Sequence, residues 1–238
     1  MQAAEVLGTL RGIAAKVGQM ASYVDGVVPE AQRDAYEKAL GALRAAAPTS
    51  SPQAIRRLVE EDFGAPVEEL FATWEDKPFA SASIGQVHRA TLQDGREVAV
   101  KVQHPGIAKA VDSDLRNAGV LEGMVRALGG SKMESKRLFA ELSERFREEL
   151  DYGLEAERQR LFRDLFTGDP TIRIPDVIGE RSRKRVLTTE MAKGVTLEEA
   201  CLAPERDRAE HCKTLWRFVF KGNLVGGMFN ADPHPGNY

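Results

Sequence analysis

The stretch Phe79–Gln103, FASASIGQVHRATLQDGREVAVKVQ, decides how the rest of the chain is read. Four small residues, Ala80-Ser81-Ala82-Ser83, lead into a segment where β-branched residues become frequent. Asp94-Gly95 then sits between Gln86–Gln93 and Arg96–Gln103, and an Asp-Gly pair flanked by alternating apolar residues predicts a β-hairpin. With a period of two, Val98, Val100 and Val102 share one face of the second strand, and Ala99, Lys101 and Gln103 share the other. A ligand bearing phosphates could use such a device. Small side chains let backbone N–H groups approach phosphate oxygens, and a lysine in mid-strand holds a positive charge at a fixed place. On the hairpin alone, Lys101 reads equally well as a surface charge on an edge strand.

Working outward, Val6, Leu10, Ile13, Val17, Met20 and Val24 recur at steps of three and four and predict an amphipathic helix. A second helix is expected over Glu30–Leu43. The small-residue linker Ala45–Pro52 follows, and a third helix starts at Pro52 and stops at Gly64. Beyond the hairpin, helical periodicity covers Ile107–Leu128 and Lys132–Phe166. Ile172–Ile178 and Arg185–Glu190 read as strands, and helix resumes from Leu197 through Trp216 and Val225. No internal repeat or low-complexity tract is present. The order predicts an α+β fold with a small antiparallel sheet.

Composition narrows the classes. The 238 residues are 42% hydrophobic and 29% charged, enough for a sizeable core and too balanced for a disordered chain. A net charge of −3 gives no general drive toward nucleic acid. No run of 18 apolar residues predicts a transmembrane helix, and no signal-peptide pattern opens the chain. With only two cysteines, Cys201 and Cys212, no disulfide framework is expected, and a reduced intracellular setting is the reading. Both fall on predicted helices and are read as buried. His104 and His234 each sit in a His-Pro-Gly turn, away from any zinc-like spacing. The basic run Arg181-Ser182-Arg183-Lys184-Arg185 reads as the solvated turn of the strand pair rather than a nucleic-acid site. The chain closes on Asn230–Tyr238, dense in turn formers, so it reads as cut short on its C-terminal side.

Three further groups carry chemistry. Asp232 and Asn237 stand five residues apart in Asp-Pro-His-Pro-Gly-Asn, the interval at which kinase catalytic loops place an aspartate and a metal-binding asparagine. Taken alone, that interval is also met in plain turns. In an unbroken helix Leu142, Phe146, Leu150 and Leu154 would form one stripe, with Glu149 pointing nearly the same way as Leu142 and Glu155 nearly opposite to Phe146. A carboxylate in an apolar stripe needs a cation or donors, so Glu149 and Glu155 are expected to serve different partners. A break near Gly153 would change this geometry. Lys16-Val17-Gly18-Gln19 lies on the first helix, where Gly18 costs about 1 kcal/mol relative to alanine and suggests a close approach.

Together these residues resemble the ubiquinone-biosynthesis kinase-like family (UbiB/AarF/ADCK), an atypical branch of the protein-kinase fold. Lys16-Val17-Gly18-Gln19 matches the family's KxGQ and Ala80-Ser81-Ala82-Ser83 its alanine-rich nucleotide loop. Glu149-Leu150-Asp151 matches its ExD, and Asp232 to Asn237 its catalytic loop. The strings PFASASIGQVHRA and VAVKVQHPG extend the likeness.

The resemblance implies a division into residues 1–64 (a helical extension with KxGQ), 65–190 (a kinase-like N-lobe) and 191–238 (hinge and start of the C-lobe). It implies that Lys101 contacts nucleotide phosphates and pairs with a helix acid, for which Glu155 is preferred. Ala80, Ser81, Ala82, Ser83, Ile84, Val87 and Ala99 would line the nucleotide, and the backbone of Glu190-Met191-Ala192 would hold adenine. Lys16 and Gln19 would pack across the site, with Lys16 paired to Glu149 or Asp151. Asp232 takes the catalytic-aspartate position and Asn237 a metal-ligand position. ATP or ADP and Mg are the implied cofactors. A quinone-precursor lipid or membrane surface and quinone-biosynthesis proteins are the implied partners, nucleic acid is not, and a cytoplasmic protein peripheral at the inner membrane face is the implied setting.

Two departures qualify this. Alanine and serine replace the glycines of ordinary protein kinases, a family trait that argues against routine protein phosphorylation. The metal-binding aspartate of the DFG segment would follow Asn237, whereas the sequence ends at Tyr238, so weak or absent catalysis is expected of this stretch. The rival reading is a pseudokinase module whose nucleotide or lipid occupancy regulates a partner. Lys101, Asp232 and Asn237 together favour an ATP-dependent kinase or ATPase.

Overall fold

The computed structural model describes residues 49–81, 84–116, 144 and 147–229. The helices expected over residues 6–24 and 30–43 lie outside these, as does the stretch 117–143.

Helix α1 (Pro52–Phe63) shows its start and stop in its sequence. The Ser51 hydroxyl accepts from the Ala54 N–H at 3.3 Å, and proline occupies the first turn, where no N–H is needed. Gly64 closes the helix at φ 69°, its N–H bonded to the Glu60 carbonyl. Ile55, Leu58 and Val59 form the buried stripe. A short helix α2 (Val67–Leu70) then delivers the chain to a five-stranded antiparallel sheet.

The strands are β1 (Thr73–Trp74), β2 (Ala80–Ser81), β3 (Gly85–Thr91), β4 (Glu97–Gln103) and β5 (Val186–Glu190). They run in the order β1-β3-β4-β5, with β2 also paired to β3. The expected hairpin is β3–β4. Leu92 N–H bonds to the Arg96 carbonyl, which leaves a three-residue loop with Gly95 at φ 86°. Register places Val87 opposite Lys101 and Arg89 opposite Ala99, while Lys101 faces Leu187 on the other side.

This alternation sorts the core into two halves. Val98, Val100 and Val102, with Ala90 and Val186, pack against Ile55, Leu58 and Val59 of α1. The helix grouped by sequence with the N-terminal extension thus shares a core with the sheet. On the opposite face Ile84 and Leu187 meet Ile107 and Val111 of α3 (Ile107–Arg116) and Tyr152 and Ala156 of α4 (Tyr152–Leu165). Helices α5 (Leu197–Cys201) and α6 (Glu205–Leu224) follow the sheet.

Four expectations need correction. The helix expected over 132–166 is not continuous, because it breaks at Leu150 and restarts at Tyr152 with Asp151 as its N-cap. The stretch 172–178 forms no ladder strand. Val177 bridges to Thr189 and Ile178 N–H reaches the Thr188 carbonyl, but Pro175 has no N–H to give, and its carbonyl is taken by Gln159. The basic run 181–185 does contain the turn before β5, with Arg183 N–H bonded to the Val186 carbonyl and Arg183 and Lys184 exposed, but it is more than a solvated turn. Arg181 donates to the Leu70 carbonyl, Arg183 stacks on Phe63, and Arg185 bonds Asp62 through its side chain and its N–H, pinning the start of β5 to α1. Cys201 and Cys212 are both exposed, since their helices leave those faces uncovered.

Two buried polar side chains on the α1 side of the sheet were not anticipated. Gln86 Oε1 accepts the Ser50 N–H at 2.8 Å, so its amide nitrogen donates to His88 Nε2 at 2.9 Å. His88 must then carry its proton on Nδ1, which donates to the Glu75 carbonyl at 2.8 Å. Trp74 stacks on the imidazole at 4.8 Å. Burial holds the His88 pKa below its ordinary value, so the ring is neutral.

Candidate functional site

Lys101 sits mid-way along β4 on the face away from the valines, as the period-two pattern requires. Its ammonium bonds both carboxylate oxygens of Glu155, at 2.7 and 2.8 Å, and lies 4.7 Å from the centre of the Tyr152 ring. Lysine and glutamate side chains remain 28% and 40% exposed, so the pair is open to a ligand rather than sealed in the core.

Three features bring Glu155 to this place. The first is the helix break. Asp151 Oδ1 accepts the N–H groups of Gly153 and Leu154 at 3.0 and 3.2 Å, which starts α4 and sets Glu155 in its first turn. An acid there also meets the positive end of the helix dipole. The second is Gln103, two residues beyond Lys101 on the same strand face and 1% exposed. Its amide nitrogen donates to the Leu150 carbonyl at 2.7 Å, and Tyr152 N–H bonds the Lys184 carbonyl, so the chain enters α4 at a fixed point beside β4. The third is Tyr152 itself, fully buried beneath the ammonium.

Tyr152 explains Gly85. A Cβ on Gly85 would lie 2.5 Å from the tyrosine hydroxyl and 2.6 Å from the Val102 carbonyl oxygen. The glycine at the end of the small-residue loop is therefore required by the tyrosine beneath it. Among the described residues the buried hydroxyl has no hydrogen-bond partner, and burial together with the carboxylates of Glu155 and Glu149 pushes its pKa well above the ordinary phenol value.

The remaining sequence candidates fall as follows. Ala80 and Ser81 form β2, paired with Val87 and Gln86, at the mouth of the loop. Ala82 and Ser83 lie outside the described residues. Val87, Ala99 and Lys101 share one sheet face by register, whereas Ile84 is buried against α3 and α4. At the end of β5, Met191 N–H is taken by the Glu97 carbonyl and Glu190 N–H by the Asp176 carbonyl. The Glu190 carboxylate accepts from Arg173 and the Asp176 N–H. Ala192 N–H makes no hydrogen bond to another described residue. Asp151 is occupied as a cap, and Glu149 lies before the break, so the opposed-faces geometry drawn for an unbroken helix does not apply. Lys16, Gln19, Asp232 and Asn237 lie outside the described residues. Among the described residues no cluster of three or more His, Cys, Asp or Glu could hold a metal ion.

Sequence reasoning missed Gln86, His88 and Gln103. The signal for Gln86 and His88 was present: with a period of two they share a strand face with Ala90, and that face stands opposite Val100 and Val102, where solvent cannot supply their partners.

An antiparallel sheet with a strand lysine, held by a glutamate from the first turn of the helix packed on that face, defines a protein-kinase-like lobe. The chain belongs to the ABC1 atypical kinase-like domain family, whose model matches residues 42–238. It is 32% identical to the mitochondrial atypical kinase COQ8B of Danio rerio, over 96% of this chain and 36% of that protein. It is 36% identical to the mitochondrial atypical kinase coq-8 of Caenorhabditis elegans, over 96% of this chain and 30% of that one. A Mycobacterium tuberculosis protein solved in complex with erythromycin superposes with a TM-score of 0.68 at 35% identity, over 99% of this chain and 59% of that one. The chain thus spans about a third of the length of these two curated relatives.

Proposed function

We propose that this chain is the nucleotide-binding part of an ATP-dependent atypical kinase or ATPase that supports ubiquinone or other isoprenoid-lipid metabolism. The observation that carries the proposal is the Lys101–Glu155 pair, open to solvent and in register with Ala80 through Val87. The residues suit an adenine nucleotide. Lys101 offers a positive charge whose direction Glu155 fixes, Val87 and Ala99 give a small apolar floor on the same face, and Ala192 N–H is available as a donor at the hinge. ATP, when bound, supplies the transferable phosphoryl group. This chain's part is to orient it: Lys101 takes the phosphate charge, and Tyr152 and Gln103 keep Lys101 and α4 in place. Magnesium would fall to Asn237 and catalysis to Asp232, and Lys16 and Gln19 would regulate access, as the family motifs suggest. Relatives in animals carry mitochondrial names. For this chain we assign a cytoplasmic setting, peripheral to the membrane, and no helix among the described residues is long and apolar enough to cross one.

Thermal denaturation with ADP or ATP and Mg²⁺ tests the reading. A ligand at 100 times its Kd stabilises the folded state by about 2.7 kcal/mol, and Lys101→Ala should abolish the shift. Absence of any shift in the wild-type chain and in a version extended through the DFG segment overturns the proposal. Erythromycin belongs in the same assay, because a structural relative was solved in complex with it. A shift with erythromycin and none with nucleotide would favour a small-molecule-binding module instead.

A further inference from the structure

The face of α4 that carries Glu155 continues to the other end of the helix. Residues 155, 159, 162 and 166 recur at steps of four, three and four and so form one stripe. At its far end Phe162 and Phe166 stack on Phe218 of α6, at 5.5 and 5.4 Å between ring centres. Helix α6 approaches closely: a Cβ on its Gly222 would lie 3.3 Å from Phe162, and the Lys221 ammonium lies 4.8 Å from the Phe166 ring.

Beside this contact the chain leaving α4 is tied down by Asp169, whose side chain is 4% exposed. One oxygen accepts from Thr171 N–H, Ile172 N–H and the Thr171 hydroxyl at 3.0, 3.2 and 3.1 Å. The other accepts from Arg217 of α6 at 2.6 Å, and Arg217 also donates to the Thr171 hydroxyl. Lys221 stands 3.9 Å away. The backbone N–H of Thr171 and the neighbouring Arg217 charge hold the Asp169 carboxyl below its ordinary range, so it is ionised at neutral pH.

We propose that Asp169 and Arg217 are positioning residues for the Lys101–Glu155 pair, which set the tilt of α4 from its C-terminal end through α6. The physical basis is stiffness. Eleven residues of helix, about 16 Å, separate Glu155 from Phe166, and a hydrogen-bonded rod transmits a tilt at one end as a displacement at the other. The pair at the near end is sensitive to displacement, because Lys101 bonds both Glu155 oxygens at 2.7 and 2.8 Å and such a two-point, angle-dependent contact loses alignment when the helix tilts. Neither residue reaches Lys101 directly, so their influence passes through the helix. The role of the pair rests on the nucleotide reading above, whereas the coupling itself can be measured without nucleotide.

The test uses the whole chain and the variants Arg217→Ala, Arg217→Lys, Asp169→Asn and, as the reference for a broken pair, Glu155→Gln. The first readout is the rate at which an amine-reactive acylating reagent labels Lys101, followed by peptide mass spectrometry. The second is the Kd of a fluorescent ADP analogue. Arg217→Ala and Asp169→Asn should raise the Lys101 labelling rate at least three-fold, toward the Glu155→Gln value, and weaken nucleotide binding in proportion. Arg217→Lys should recover most of both. Helical circular dichroism must stay at the wild-type level. If Arg217→Ala unfolds, Arg217→Gln carries the same comparison. Wild-type labelling rates in folded Arg217 and Asp169 variants overturn the proposal. A wild-type chain that binds no nucleotide but shows the labelling change defeats the nucleotide reading and leaves the coupling standing.

Discussion

Replacing Gly85 by alanine tests the packing beneath the site. The added Cβ would lie 2.5 Å from the Tyr152 hydroxyl and 2.6 Å from the Val102 carbonyl oxygen. Comfortable contact needs about 3.5 Å, so roughly 1 Å must be found on each side. Tyr152 is fully buried and cannot swing away, and Val102 lies within β4, paired to Gln86 in the ladder. Overpacking of this kind costs about 1–3 kcal/mol. Because one of the two obstacles is backbone, the upper part of that range, about 2–3 kcal/mol, is expected. At about 2–4 °C per kcal/mol for a chain of this size, the melting temperature should fall by about 4–12 °C.

Tyr152→Phe separates the two contacts. It removes a buried hydroxyl that has no partner among the described residues and keeps the ring under Lys101, so alone it should be neutral or stabilise by about 1 kcal/mol. In the double variant it should recover about 1 kcal/mol of the glycine's loss and no more, since the Val102 carbonyl remains. Thermal and urea denaturation followed by circular dichroism measure all three. A Gly85→Ala chain that melts within 1 °C of wild type, or a Tyr152→Phe chain that loses more than about 1 kcal/mol, would refute the reasoning.

Three other outcomes follow from the structure. Burial depresses the His88 pKa, so the unfolded chain takes up the proton first. Stability should be complete above about pH 6.5 and fall as pH drops below it, by at most about 1.4 kcal/mol per pH unit. The charges of Asp76 and Arg56 act on the ring in opposite directions. Urea unfolding between pH 5 and 7.5 should show this slope reduced in His88→Gln, and equal slopes would count against it. Asp62→Asn should cost about 2 kcal/mol, because it weakens the bonds that hold Arg185 and β5 to α1. A urea midpoint unchanged from wild type would deny that role. Native titration with a thiol reagent should modify both Cys201 and Cys212, and protection of either would contradict their exposure.

Much of the fold was legible because its signals are local. Ser51, Pro52 and Gly64 punctuate α1 through bonds made within a few residues, and Asp94-Gly95 between alternating segments fixed the β3–β4 hairpin and hence the face on which Lys101 lies. The motif order carried the family. The errors arose where a local signal competed with a distant partner. Periodicity runs on through residues 142–154, yet Asp151 caps a new helix there and Gln103, 47 residues away, holds the Leu150 carbonyl that the break frees. Arg181, Arg183 and Arg185 read only as part of a solvated turn because their partners, Leu70, Phe63 and Asp62, lie more than a hundred residues earlier.

The sequence by itself determined the helix boundaries written in caps, the existence of the β3–β4 hairpin, the strand face that carries Lys101 and the kinship, whereas the three-residue loop, and with it the register, came from the structure. The resemblance implied the Lys101–Glu155 pair, but only the tertiary structure decided how the break at Asp151 brings Glu155 to it, that Gly85 serves Tyr152, that Gln86 and His88 relay a bond from Ser50 to Glu75, and that α4 is held by α6 at the end remote from the pair. The physical reason is common to all four. Each depends on a buried polar or close-packed contact between segments whose approach is set by the packing of two apolar faces on one sheet, and no spacing along the chain encodes that approach.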